Sequence, residues 1–103
     1  MPNHKIFWTR QARENLRSVR AHISRDAPAT ATAYVRKLRL SVGRLKQFPF
    51  SGEVVPELRR EDLREVIEGY YRIIYRVSEQ RVDILAVFHS SRLLHERDLG
   101  GSE

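Results

Sequence analysis

The sequence predicts a two-layer α+β domain in which an opening strand and a two-helix hairpin precede a three-stranded antiparallel meander. Three observations carry this reading. From Tyr70 to Val77 aromatic and β-branched residues dominate and alternate, with Tyr71, Ile73, Tyr75 and Val77 on one face and Tyr70, Arg72, Ile74 and Arg76 on the other. From Val82 to Phe88 the chain is almost continuously apolar, which predicts a strand covered on both faces and central in its sheet. Between residues 10 and 48 the apolar residues instead recur every three or four positions, the period of a helix.

Taken in order, Lys5 to Thr9 reads as the opening strand, and the Thr9 hydroxyl is placed to cap a helix by accepting from a first-turn amide. Ala12, Leu16, Val19 and Ile23 form the apolar stripe of that helix, with Arg10, Arg13, Arg17 and Arg20 running beside it. Asp26-Ala27-Pro28 interrupts the pattern, and proline suits the first turn of a second helix. Ala31, Val35, Leu38, Val42, Leu45 and Phe48 give that helix its stripe, and Pro49 ends it. Pro49 to Gly52 is turn chemistry, and Glu53 to Leu58 is extended or irregular because Pro56 has no amide to donate. Leu63 to Ile67 forms the first meander strand, Glu68-Gly69 the turn into the second, and Ser78 to Arg81 the turn into the third. Leu93 to Leu99 suits a helical turn, and Gly100 to Glu103 should fray. Strand, helical crossover and return strand are compatible with a right-handed connection. The hairpin would cover one sheet face and leave the other, with Arg72 and Arg76, open to a ligand.

Residues 1–103 are expected to form one domain, long enough for a single core without staples. There is no cysteine, which excludes disulfides and thiolate metal sites and fits a reducing cytoplasm. No apolar run approaches the roughly 20 residues of a membrane helix, and Met1 to Lys5 lacks a signal-peptide core. The net charge of +6 is uneven: residues 1–48 hold 11 basic and 2 acidic side chains, residues 49–103 hold 8 and 11, giving +9 and −3. The first half therefore attracts an acidic partner or polyanion, unless its arginines form only a solvated face.

Gly-rich phosphate loops, Gly-x-Ser-x-Gly and paired histidines at metal spacing are absent, so no metal or cofactor is expected. The candidate binding residues are Arg13, Arg17, Arg20, Arg64, Arg72, Arg76, His89 and Arg92. Structural roles stand beside these. Arg72 can pair with Glu65 or Glu68, and His89 can close a sheet end.

The linear arrangement Pro49-x-x-Gly52, Leu63-Arg64-Glu65, Tyr71-Arg72-Ile73-Ile74-Tyr75-Arg76 and Val82 to His89-x-x-Arg92 resembles the RelE/ParE superfamily, the toxins of type II toxin–antitoxin modules. The resemblance spans the chain from the opening strand to Arg92. It implies a cytoplasmic toxin neutralised by a cognate antitoxin in a hetero-oligomer. RelE-like members cleave messenger RNA on the ribosome, whereas ParE-like members act on DNA gyrase. Cleavage through a 2′-hydroxyl needs a base, an acid and cations for the phosphorane charge. By resemblance Arg72 and Arg92 match two RelE-like positions, and His89 can supply an imidazole. The lysine pair of the RelE-like site is missing, since Lys5, Lys37 and Lys46 all precede the meander. Glu65 and Glu68 stand there instead. The resemblance therefore implies a ParE-like gyrase inhibitor without catalytic residues. The alternatives are an mRNA interferase using Arg72, His89 and Arg92, or a non-toxic module that retains antitoxin binding.

Overall fold

The computed structural model describes residues 3–99. Lys5–Trp8 forms β1. Thr9, at its end, accepts a hydrogen bond from the Ala12 amide (3.1 Å) and donates its own hydroxyl to the Ile84 carbonyl (2.9 Å). It thereby caps α1 (Arg10–Ser24) and pins that helix start to the sheet. Ala12, Leu16 and Val19 are buried as the stripe requires, and Ile23 packs partly buried beside them. Pro28 opens α2 (Pro28–Gly43), where a first-turn amide has no partner within the helix to lose.

The second stripe predicts one helix running to Pro49. The α-helix instead ends at Gly43 and tightens into a 3-10 turn over Arg44–Lys46. Leu45 stays buried, but Phe48 is 61% exposed. Closer winding carries Phe48 off the stripe, and the following Pro49 disfavours a helical backbone at Phe48.

β2 (Glu53–Val54), β3 (Leu63–Glu68), β4 (Tyr71–Val77) and β5 (Arg81–His89) complete a sheet of order β1-β5-β4-β3-β2. β1 runs parallel to β5, and the other pairs are antiparallel. The predicted meander is present, with two differences. The irregular stretch contributes β2 at the edge, and β5 is an interior strand but β4 is the middle one. The turn from β3 to β4 is at Gly69-Tyr70, with Gly69 at φ 63°, a conformation that favours glycine.

The uninterrupted apolar run of β5 has a geometric cause. Ile74 pairs with Ala86 but Tyr75 pairs with Ile84, so Leu85 is an extra residue bulging from β5. The bulge reverses the alternation. Val82 and Ile84 face the helices before it and Val87 does so after it, while Leu85, Ala86 and Phe88 face away. On the helical side, Ile73, Tyr75 and Val77 join Leu16, Val35, Leu38 and Val42 in the larger core.

The other face is not open, contrary to the sequence expectation. Ile74, Leu85, Ala86 and Phe88 form a second apolar cluster there with Val55, Leu63 and Leu94, and with Leu58 and Leu99 at its margin. The chain segment after β5 lies over it and ends in a 3-10 turn, Glu96–Leu99, where a helical turn is expected. The fraying expected of residues 100–103 lies outside the described residues. Among those described, no helix is long and apolar enough to cross a membrane.

Candidate functional site

Period-2 geometry sends Arg72 to the face away from the helices, where the second cluster surrounds it. It is 5% exposed. Its Nη1 and Nη2 donate to the two oxygens of Glu57 (2.8 Å each), its Nε to Glu65 Oε1 (2.8 Å), and its Nη1 also to the Arg92 carbonyl (3.1 Å). Nη2 additionally lies 2.6 Å from Glu65 Oε1. Glu57 accepts a further bond from the Leu94 amide (3.0 Å). The expected pairing with Glu65 is therefore real, and the expected open guanidinium is not. A charge can be buried here only because every donor direction is answered. The Arg72 hydrogen bond holds the Glu57 carboxyl down at about 2, and Glu57 in turn raises the Arg72 pKa against the opposing effect of burial.

His89 and Arg92 stand at the exposed end of β5. His89 Nδ1 lies 2.8 Å from the Ser91 hydroxyl and accepts from the Ser91 amide (3.2 Å). Its ring lies parallel to Tyr70 (6.3 Å between centroids) and edge-on to Tyr71 (5.5 Å). Arg92 rests on the Phe88 ring (4.2 Å) and pairs with Asp98 (3.2 Å). The His95 amide and then Arg92 hold the Asp98 carboxyl below its usual range. Arg92 thus reaches Arg72 only through its backbone carbonyl. The bulge at Leu85 is what turns His89 toward the helical side, beside Tyr71.

The other predicted residues fall at separate places. Arg13, Arg17 and Arg20 are exposed on α1 and, with Arg39, edge a groove of about 370 Å³ floored by Trp8, Leu16 and Val35. Arg13 also donates to the Trp8 carbonyl (2.6 Å). Arg64 pairs with Glu61 (2.8 Å), donates to the Gly52 carbonyl (3.1 Å) and lies over Phe50 (5.0 Å). Arg76 pairs with the buried Asp83 (3.0 Å), which Arg81 also approaches (2.7 Å). The residues the sequence left unassigned are Glu57 and Asp83. Glu57 sits in a stretch without periodicity, so no spacing ties it to Arg72. Asp83, a lone carboxylate in an apolar run and next to Arg81, gave a signal that pairing alone explains. Among the described residues no cluster of His, Asp or Glu could hold a metal ion.

A family model described as the ParE toxin of type II toxin-antitoxin systems, parDE, matches residues 6–94. The candidate toxin Y4kP of Sinorhizobium fredii is 33% identical over 92 residues, 87% of this chain and 92% of that protein. Toxin RelE2 of Caulobacter vibrioides is 27% identical over 89 residues, 86% of this chain and 98% of that protein. Among solved structures, the chromosomal ParDE system of P. aeruginosa superposes with a TM-score of 0.71 at 22% identity, over 84% of this chain and 95% of that one. At that identity the likeness establishes the fold. The RelBE2 toxin–antitoxin complex of Mycobacterium tuberculosis superposes with a TM-score of 0.59 at 26% identity, over 86% of this chain and 93% of that one.

Proposed function

The chain belongs to the ParE toxin family of type II toxin–antitoxin systems, and on that premise we propose that it inhibits DNA gyrase rather than cleaving messenger RNA. The observation that supports this reading is the enclosure of Arg72 by Glu57 and Glu65. A phosphorane needs cations that are free to meet its developing charge. Arg72 directs its donors at two carboxylates and a carbonyl, and those carboxylates would repel a scissile phosphate. The lysines are no substitute, because Lys5, Lys37 and Lys46 all precede the meander. His89 and Arg92 remain accessible, but they lie beyond the Arg72 cluster and do not complete it.

A toxin of this class has an antitoxin partner. We place that partner on the α1–α2 hairpin, where Arg13, Arg17, Arg20 and Arg39 surround an apolar floor. Acidic side chains would meet the arginines, and burial of the floor would supply most of the affinity, since exposed ion pairs give only about 0–1 kcal/mol each.

The test is induction without the antitoxin, followed by two readouts. Gyrase-trapped DNA breaks and inhibited supercoiling are expected, with ribosome-bound transcripts intact. Codon-linked cuts in transcripts that disappear in an Arg92→Ala variant would sink the gyrase reading. Absence of both effects, with the antitoxin still bound, would identify a non-toxic binding module.

A further inference from the structure

Tyr70 is the most exposed of the large apolar side chains, at 75%, yet its ring is not loose. His89 lies parallel to it, at 4° between planes, and is itself held edge-on by Tyr71, which meets Tyr34 (5.8 Å). The backbone is fixed as well, because the Ser90 amide donates to the Tyr70 carbonyl (2.7 Å). A backbone amide can only donate, so the bond from Ser91 makes His89 Nδ1 an acceptor and leaves the neutral ring's proton on Nε2. Beside this row of rings, Asn15, His22, Tyr71, His89 and Arg92 line a depression of about 290 Å³. Arg92 is braced by Phe88 and by one oxygen of Asp98, and its side chain remains 51% exposed.

We propose that this end of the sheet is a nucleotide-binding platform, with a base stacked on Tyr70 and the adjoining phosphate held by Arg92. An oriented ring with an open face beside an exposed cation matches what a single strand offers: a π-face next to a negative charge. An acidic protein segment would use Arg92 and leave the prearranged ring without a partner. Two nitrogen donors, His89 Nε2 and the His22 ring, add hydrogen-bonding capacity at the same depression. The platform goes beyond action on gyrase and stands or falls separately from it.

The test is fluorescence anisotropy of the full chain, freed of antitoxin, with labelled oligothymidylate and oligouridylate and with polyglutamate as competitor. Tyr70→Ala should weaken oligonucleotide binding about fivefold or more, whereas Tyr70→Phe keeps the ring and should stay within about twofold of the parent. Arg92→Gln should lower the slope of log affinity against log salt by about 0.7. Unchanged binding by Tyr70→Ala overturns the proposal, as does displacement by polyglutamate at the same charge concentration as by unlabelled oligonucleotide. The preference between the two oligonucleotides tells DNA from RNA as the natural source. A supercoiling assay on the same samples keeps the two readings apart. Gyrase inhibition without oligonucleotide binding sinks only the platform, and binding without inhibition sinks only the gyrase reading.

Discussion

Arg72 and Glu57 meet fork to fork, each guanidinium Nη donating to its own carboxylate oxygen at 2.8 Å, although 15 positions of chain separate them. Because Glu57 also accepts the Leu94 amide and Arg72 also reaches the Arg92 carbonyl, this one pair ties β4, the β2–β3 connection and the segment after β5 together.

Removing the guanidinium would leave two carboxylates facing each other in a largely dry cluster. Arg72→Ala is therefore expected to destabilise the protein by roughly 3–5 kcal/mol, the scale for stripping one partner from a buried pair. The open face predicted from sequence implies no more than about 1 kcal/mol. Ile73→Ala, on the helical side and fully buried, should cost roughly 2–5 kcal/mol through lost burial and a residual cavity. Denaturant midpoints of both variants check this. An Arg72→Ala midpoint equal to that of the parent would show the cluster to be dispensable.

The same pair predicts an acid limb. The folded Glu57 carboxyl titrates at about 2, below its value of about 4.5 in the unfolded chain. The unfolded state therefore binds its proton first as pH falls. The contribution of Glu57 is fully present above about pH 5 and is lost progressively on the way down to about pH 2. A pH series of unfolding free energies should fall over that window, and Glu57→Gln should flatten it. A Glu57→Gln variant with the parental slope would assign the acid limb to other carboxylates.

Why Arg72 misled the sequence reading is physical. Alternation along Tyr71 to Val77 told correctly which residues share a face, and the helical stripes placed Ala12, Leu16, Val19, Val35, Leu38 and Val42 in the core. Periodicity reports facing and says nothing of what covers a face. The cover comes from Val55, Glu57 and Leu94, residues of short, aperiodic segments brought in by contacts between distant parts of the chain. The Leu85 bulge is equally silent in sequence, because an apolar run reads the same with or without an extra residue. The direction of His89 depends on that bulge, so its neighbours Tyr70 and Tyr71 could not be told apart by alternation alone.

Gly52 sits against the sheet so closely that an added Cβ would lie 2.5 Å from both the Glu65 carbonyl and the Tyr75 hydroxyl. The Gly52 amide donates to that hydroxyl (3.0 Å), and Tyr75 is fully buried, which pushes its pKa up. Gly52→Ala should cost about 1–3 kcal/mol through overpacking, because the atoms it meets belong to backbone and to a side chain with no room to move. Tyr75→Phe should cost about 1–3 kcal/mol by leaving the Gly52 amide unsatisfied. If Gly52→Ala leaves the thermal midpoint in place, the close approach is not a constraint on the fold.

The antitoxin surface gives the last prediction. Arg13, Arg17 and Arg20 lie exposed along one groove of the half that carries +9, so their long-range field should speed encounter with an acidic segment more than it strengthens the docked complex. Replacing all three by glutamine should lower the association rate at low salt by about tenfold, with a smaller change in dissociation. The difference should shrink as ionic strength rises past about 0.15 M, where the screening length falls to about 8 Å. Leu16 and Val35 at the groove floor would still be covered, so moderate salt should weaken the complex without dissolving it. The substitutions lie on the solvent side of α1, and the thermal midpoint should move little apart from the lost Arg13 bond to Trp8. Stopped-flow association at two salt concentrations measures this directly. Equal rates for parent and variant at low salt would place the antitoxin elsewhere on the toxin.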